Sequence, residues 1–123
     1  MAFKSMGLDP VTSKGIELLK VAARKRGLTF ILTSGFRSFT EQAELIRSGR
    51  AITPAAPGRS THNYGYAFDA VVPQGLNSPQ QRALGQIGEA LGLSWGGRFR
   101  DPVHFQVVTP QDWARALQIA GLG

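Results

Sequence analysis

A carboxylate, Asp69, lies within an apolar run in the segment RSTHNYGYAFDAVV at residues 59–72. Apolar residues alternate with others at first and then become continuous, which predicts a core strand that contains Asp69. A bare carboxylate in such a strand is costly to desolvate, so it needs a cation or several hydrogen-bond donors beside it. His62, seven residues earlier, and a metal ion could supply that partner.

Length and composition limit the kinds of protein and of site. A chain of 123 residues predicts one domain, spanning 1–123, with a core of its own. The chain has no cysteine, so any metal must be held by His, Asp or Glu. The net charge of +6 favours an anionic partner, for which nucleic acid, an acidic membrane and the bacterial cell wall all qualify.

Capping residues and hydrophobic spacing predict the order of helices and strands as α-β-α-β-α-β-β-α. The four predicted helices run from about 10 to 26, from Ser38 to Gly49, from Ser78 to Gly92, and from Thr109 onwards. The predicted strands are LTFILTSG, which reads as buried, YAFDAVVP, and the pair LSWGGRF and VHFQVV, which reads as a hairpin. The expected fold class is α+β, with helices packed on a small, mainly antiparallel sheet.

A second pair of candidate residues lies in RDPVHFQ, where Asp101 precedes His104 by three residues. Taken alone, His62 could be an inconsequential loop histidine and His104 a satisfied core imidazole. Pro102 disfavours a helix through Asp101, so this carboxylate can stand just outside the coordination sphere of an ion bound by His104. Two histidines and one carboxylate leave the fourth position of a tetrahedral zinc for water, which is the pattern of catalytic sites. Asp101 would then be the general base of an amide hydrolysis.

One arginine stands out by its position in the chain. Arg37, in SGFRSFTEQ, falls between the end of a predicted strand at Gly35 and the helix that begins after Ser38. A guanidinium fixed there could stabilise the negative charge that develops on a carbonyl oxygen during hydrolysis. The alternative, a surface arginine without such a role, stays open at this point.

Three segments together resemble a known enzyme family. SGFRS, STHNYGYAFDAV and WGGRFRDPVHFQ are similar to the motifs of the zinc D-Ala-D-Ala carboxypeptidases and phage L-alanyl-D-glutamate endopeptidases, the VanY-like members of the LAS metallopeptidase superfamily. The resemblance covers roughly residues 28 to 107. The family pattern, Ser-x-His-x-x-Gly-x-Ala-x-Asp followed by a carboxylate-x-x-His, is met at Ser60, His62, Gly65, Ala67, Asp69, Asp101 and His104.

The resemblance implies a hedgehog/DD-peptidase-like fold, one zinc ion per chain and a set of site residues. The metal ligands that it implies are His62, Asp69 and His104. The catalytic residues that it implies are Asp101, as the base, and Arg37, which would also bind the substrate. The further substrate-binding residues that it implies are Gln42, Ser60 and Trp95.

Details of the motifs favour one branch of this family. Aspartate at the base position and the WGG stretch at 95–97 favour the endolysin-like branch, so the expected reaction is cleavage between L-Ala and D-Glu of the peptidoglycan stem peptide, by a phage endolysin. The segment between WGG and Asp101 is shorter than in many such enzymes, which leaves the bond cleaved open. The alternatives are a D-Ala-D-Ala carboxypeptidase and a non-catalytic, zinc-containing wall-binding module.

Partners and location follow from charge, from missing signals and from the resemblance. Bacterial peptidoglycan is the expected partner, because the basic charge suits an anionic wall. Nucleic acid is discounted, since the basic residues are scattered and no helix-turn-helix, zinc-finger or RNP signature occurs. No stretch approaches the roughly 20 apolar residues of a membrane helix, and the N-terminal residues lack the apolar region of a secretory signal. We therefore expect a monomer, not inserted in a membrane, that is made in the cytoplasm and acts on the wall, or in the host periplasm if phage-encoded.

Overall fold

Four α-helices and a four-stranded sheet form the computed structural model of this protein, which describes residues 8–48, 60–119 and 121. The helices are α1 (Pro10–Lys25), α2 (Phe39–Arg47), α3 (Pro79–Ala90) and α4 (Pro110–Ile119). The strands are β1 (Ile31–Ser34), β2 (Ala67–Val71), β3 (Ser94–Trp95) and β4 (His104–Gln106). Two 3-10 helices occupy Thr61–Tyr64 and Gly96–Phe99. The predicted element order and the α+β class are confirmed, while the predicted helix stop at Gly49 lies outside the described residues.

The helices begin where the sequence predicts, because polar side chains accept hydrogen bonds from their free N–H groups. The capping side chains are those of Asp9, Ser38, Ser78 and Thr109. At α2 the cap is reciprocal, since Ser38 Oγ accepts from the Glu41 N–H and the Glu41 carboxylate accepts from the Ser38 N–H. This capping box starts α2 immediately after Arg37 and so fixes where that residue leaves the sheet.

The sheet has the order β1-β2-β4-β3, and each neighbouring pair is antiparallel. Phe68 of β2 pairs with Phe105 of β4, and Asp69 pairs with His104. Successive side chains of a strand point to opposite faces. One face of the sheet therefore carries the two phenylalanines, and the other carries Asp69 and His104.

The hydrophobic core lies on the phenylalanine face, under α1 and α3. The Phe68 and Phe105 rings stack with their centroids 5.4 Å apart, and both side chains are fully buried. The residues that surround them are Ile16, Leu19, Ala23, Leu84, Ile87 and Trp95. Burial of each large side chain of this kind contributes about 1.5–3 kcal/mol, so this cluster anchors β2 and β4 against each other.

Two predicted strands differ from those observed. The segment LTFILTSG was expected to be buried, but β1 covers only its second half and lies at the edge of the sheet, with Ile31 66% exposed. LSWGGRF forms a strand only at Ser94–Trp95 and then turns into a 3-10 helix. This turn brings Gly96 against the following chain, where an added Cβ would be 2.4 Å from the Asp101 carbonyl oxygen, so the position requires a glycine. Among the helices of the described chain, none is long and apolar enough to cross a bilayer.

Candidate metal and catalytic site

Three side chains meet on the sheet face opposite the core. His62 comes from the first 3-10 helix, Asp69 from β2 and His104 from β4. The Oδ1 atom of Asp69 lies 3.2 Å from Nε2 of His62 and 3.6 Å from Nδ1 of His104. The two histidine nitrogens are 3.2 Å apart. The structure thus brings together the three residues that the sequence indicates as metal ligands.

A tight turn delivers His62 to the start of β2. Ser60 Oγ accepts a hydrogen bond from the His62 N–H at 3.2 Å and caps the 3-10 helix. Gly65 ends this helix with a φ of 74°, in the left-handed region that favours glycine. The spacing between His62 and Asp69 is therefore one short helical turn followed by the first residues of a strand, and it leaves the His62 side chain buried.

Hydrogen bonds on the far side of each imidazole determine which ring nitrogen carries the proton and which presents a lone pair to the cluster. Nδ1 of His62 lies 2.8 Å from the Gly35 carbonyl oxygen, which can only accept, so Nδ1 carries the proton and Nε2 presents a lone pair. On His104 the outer nitrogen is Nε2, 2.6 Å from Oε1 of Gln106. Nδ1 of His104 is then directed at Asp69, whose buried Oδ1 has no hydrogen-bond partner in the described part of the chain.

This arrangement fits a divalent cation. Two ring nitrogens and a carboxylate oxygen face one another within 4.8 Å, and lone pairs that face each other at such distances repel. A metal ion between them removes the repulsion and satisfies the orphaned oxygen of Asp69. Two imidazoles and one carboxylate are a ligand set of zinc, whereas calcium and magnesium prefer oxygen ligands.

The surroundings of the cluster shift the pKa values of its two carboxyl groups, Asp69 and Asp101, in opposite directions. Burial raises the pKa of Asp69, but in the metal-free protein hydrogen bonds from His104 and His62 in their protonated form, and the charge of these rings, lower it by more, so the net pKa lies well below its usual range and the group is anionic. Burial also raises the pKa of Asp101, and the nearby Asp69 carboxylate adds to the rise. Asp101 therefore has more affinity for a proton than an exposed aspartate has, which is a property of general bases and acids.

Asp101 lies in the turn between the second 3-10 helix and β4. Its N–H donates to the Gly96 carbonyl at 2.9 Å, and its own carbonyl accepts from the His104 N–H at 3.1 Å. The residue before it, Arg100, has a φ of 67°, which is uncommon for a side chain other than glycine. This turn holds Asp101 on the wall of the cavity that the three clustered side chains also line.

Arg37 is held in the same cavity by three neighbours. Its Nη1 donates to Oε1 of Gln42 at 2.8 Å, and its Nη2 donates to Ser34 Oγ at 3.2 Å. Nη2 also lies 3.9 Å from Oδ2 of Asp69. Gln42 is almost fully buried, so its amide is a fixed support for the guanidinium. Because of these contacts, Arg37 lies beside the cluster and is not a free arginine on the surface.

The cavity has a volume of about 470 Å³ and extends from the cluster to α4. Ser60 and Trp95 line it, as the sequence led us to expect of substrate-binding residues. Both also have structural contacts, since Ser60 caps the 3-10 helix and the Trp95 indole N–H donates to the Pro102 carbonyl at 2.7 Å. Their contact with a substrate stays a prediction.

Sequence reasoning missed two parts of this site. Gln106 touches His104, and the signal for it was available, because residues two apart on a strand share a face. The inner face of α4 forms the far wall of the cavity through Trp113, Ala114 and Leu117. Nothing in the sequence of α4 indicates which neighbour it covers, since amphipathic spacing alone predicts only that one face is apolar.

Comparisons with known proteins identify peptidases as relatives of this chain. The sequence profile of the VanY family, described as D-alanyl-D-alanine carboxypeptidase, matches residues 5–91. The peptidoglycan L-alanyl-D-glutamate endopeptidase CwlK of Bacillus subtilis is 32% identical over an alignment 123 positions long, which covers 82% of this chain and 74% of that protein. The crystal structure of the Serratia marcescens L-Ala D-Glu endopeptidase ChiX superposes with a TM-score of 0.68 and 26% identity, over 91% of this chain and 88% of ChiX.

A more distant structure has the same fold. A mutant of the vancomycin resistance D,D-pentapeptidase VanY, solved in complex with Zn(II), superposes with a TM-score of 0.67 at 22% identity. The match covers 94% of this chain and 80% of that one. It confirms the predicted peptidase-like fold class.

Proposed function

Because the chain belongs to the VanY family, we propose that it is a zinc-dependent peptidoglycan hydrolase that cleaves the stem peptide between L-alanine and D-glutamate. The observation that carries this proposal is the convergence of two imidazoles and a carboxylate in one cavity with Asp101 and Arg37. The endopeptidase is favoured over the carboxypeptidase because the relatives CwlK and ChiX, at 32% and 26% identity, are L-Ala-D-Glu endopeptidases.

The zinc would be held by His62, Asp69 and His104, one ion per chain. When bound, zinc supplies a Lewis acid that polarises the scissile carbonyl group and makes water more acidic. The two histidines present unprotonated nitrogens to it because their outer nitrogens donate to Gly35 and Gln106. The cluster is therefore organised before the ion arrives.

Asp101 would move the proton that amide hydrolysis requires. Its carboxylate takes a proton from the attacking water and returns it to the leaving amine, for which its raised pKa is suited. The turn that joins it to His104 through the backbone keeps it close to the cluster without making it a ligand.

Arg37 would stabilise the negative charge on the carbonyl oxygen in the transition state. Its guanidinium needs little reorganisation, because Gln42 and Ser34 already fix it. Gln42 acts on the substrate through Arg37 in this scheme, while Ser60 and Trp95 contribute to the cavity wall.

We further infer that residues 1–123 work as one catalytic domain, as a monomer, on the cell wall during phage lysis. Support for a single domain comes from the one sheet that all four described strands share. Support for the endolysin setting comes from Asp101 and the WGG stretch. Light scattering of the purified protein tests the monomer, and lysis of bacteria on co-expression with a membrane pore tests the setting.

Digestion of purified sacculi tests the reaction. The zinc-loaded protein is expected to release fragments with new D-glutamate amino termini, detectable by mass spectrometry after derivatisation of free amines. The His62→Ala variant provides the matched protein without a complete ligand set. Sacculi that remain free of new D-glutamate termini under zinc-loaded conditions would rule out the endopeptidase.

A D-Ala-D-Ala carboxypeptidase is the second candidate, because that is the description of the matched family. Its signature is release of free D-alanine from a pentapeptide stem while the rest of the stem stays intact. Incubation with a soluble pentapeptide and quantification of D-alanine distinguishes it from the endopeptidase in the same experiment.

A further inference from the structure

We propose that Gln106 is a positioning residue, whose side-chain oxygen selects the His104 tautomer that leaves Nδ1 free to bind a metal ion. The inference rests on the proposed function only in taking the cluster of His62, Asp69 and His104 as a metal site.

Gln106 lies on β4 two residues after His104, with only 8% of its surface exposed. Its Nε2 donates to the Val108 carbonyl at 2.6 Å. Its Oε1 lies 2.6 Å from Nε2 of His104 and accepts from the Thr61 hydroxyl at 3.2 Å. All the polar atoms of this amide are therefore engaged by named partners.

The Val108 carbonyl determines the direction of the whole chain of hydrogen bonds. A carbonyl can only accept, so the NH₂ group of Gln106 must face it and Oε1 must face His104 and Thr61. The reversed amide would set two oxygens against each other at Val108. An accepting Oε1 requires a proton on Nε2 of His104, and a neutral imidazole has only one, so Nδ1 is left with its lone pair.

The other tautomer has a competing partner within the cluster. A proton on Nδ1 of His104 would lie 3.2 Å from the lone pair of His62 Nε2 and 3.6 Å from Oδ1 of Asp69, so it would relieve the repulsion within the cluster without a metal. Gln106 opposes this closed arrangement. Thr61, which also binds Oε1, precedes His62, so the same network joins the two segments that carry the imidazoles.

Loss of a hydrogen-bond partner of this kind costs roughly 10–100-fold in metal affinity. We expect that loss for Gln106→Leu, which removes the acceptor at similar volume. Gln106→Glu keeps an acceptor for His104 but puts an oxygen in place of the NH₂ group that faces the Val108 carbonyl, so its zinc affinity should fall less than that of Gln106→Leu. The dissociation constant is measured by competition with a chromophoric chelator.

The tautomer itself can be read in the metal-free protein. The chain has two histidines, so long-range ¹H–¹⁵N correlation spectra of histidine-labelled protein contain only two rings. At alkaline pH, where the imidazole is neutral, His104 should carry its proton on Nε2 in the parent and in Gln106→Glu, and should populate the Nδ1–H form in Gln106→Leu. This readout does not depend on catalysis, so failure of the proposed hydrolysis would not change it.

Gln81→Leu is the matched control for loss of a buried glutamine. Gln81 accepts from the Val72 N–H and donates to the Ala70 and Pro102 carbonyls, but contacts neither imidazole. Its removal should lower stability and leave the His104 tautomer unchanged. The proposal is overturned if folded Gln106→Leu keeps the parent tautomer and zinc affinity. It is equally overturned if folded Gln106→Glu no longer carries the His104 proton on Nε2, which covers the case in which the leucine variant does not fold.

Discussion

The Asp69 carboxylate shows at the scale of single residues how a costly buried charge is compensated. One of its oxygens faces two imidazoles, and the other lies 3.9 Å from the Arg37 guanidinium. Removal of one partner from such a group leaves a buried charge without compensation, which costs more than the pair contributes. Asp101, in contrast, lies at the rim of this network, so its role can be tested without dismantling the ligand set.

Asp101→Asn is expected to separate metal binding from catalysis. The amide cannot take the proton from water, so hydrolysis of a stem-peptide substrate should fall about 10²–10⁴-fold. Zinc content should stay at one ion per chain, because no ligand is removed. Both are measured on the same preparation, by kinetics and by metal analysis.

The control for this variant is Asp112→Asn, at the exposed start of α4. It changes the same chemical group away from the cluster and should keep the parent rate. An Asp101→Asn protein as active on cell walls as the parent would point to the non-catalytic wall-binding module instead.

At the scale of elements, α4 differs from the other helices because none of its residues is buried. Trp113 joins it to the remainder of the protein through Tyr64 and Tyr66, with ring centroids 5.6 and 6.5 Å away. The face that carries Trp113 also lines the cavity, along with Ala114 and Leu117. The helix therefore forms a wall of the cavity rather than part of the core.

Ala114→Trp should narrow this groove. The indole would project into the cavity, so KM for a stem-peptide substrate should rise while zinc affinity stays unchanged. Ala116→Trp, on an exposed position of the same helix, is the matched control and should leave KM as it is. Equal KM values for the two variants would contradict a groove wall formed by α4.

The packing of α3 against β3 predicts that a Gly→Ala substitution in this helix destabilises the protein, which is the opposite of the usual effect. Gly→Ala within a helix usually stabilises by up to about 1 kcal/mol. At Gly85, however, an added Cβ would lie 2.1 Å from Cε2 of Trp95, a buried ring held at Pro102. We expect Gly85→Ala to lower the free energy of unfolding by roughly 1–3 kcal/mol, as overpacking does.

Denaturant unfolding measures this change, with Gly15→Ala as the comparison. Gly15 lies in α1, and its Cβ would meet the ends of two side chains, Leu93 at 3.2 Å and Val107 at 3.9 Å. That variant should unfold at or near the parent denaturant concentration. A Gly85→Ala protein more stable than Gly15→Ala would refute the assigned packing.

Local signals account for what could be predicted of these elements. The caps at Ser38 and Ser78 depend on side chains within three residues, so they are visible in sequence. Whether Ile31 is buried depends on which strand lies beyond it, and hydropathy carries no such information. The same distinction applies to the site. The spacing of His62 and Asp69 is local and could be read from the sequence, whereas the contact of Gln106 with Thr61 spans 45 residues and could not.

At the scale of the whole molecule, the cluster joins segments that are distant in sequence. A 3-10 helix, the second strand and the fourth strand each contribute one side chain. An ion bound by all three can bind only the folded chain, so metal binding adds directly to the stability of the fold.

Zinc should therefore raise the melting temperature, and chelation should lower it. With free zinc at 1,000 times its dissociation constant, the added stability is about 4 kcal/mol, which calorimetry resolves easily. In His62→Ala the difference between zinc-loaded and chelator-treated protein should vanish. A parent protein with identical melting temperatures in both conditions would refute the metal site.

The pairing of Asp69 with His104 has a consequence for quality control during folding. A slip of one residue between β2 and β4 would turn one of these side chains to the opposite face. Such a mispaired sheet could not hold the ion, even if its hydrophobic residues still collapsed. The number of zinc ions bound per chain would then equal the fraction of molecules in which β2 and β4 are paired in the correct register. Zinc binding therefore selects the correctly aligned sheet.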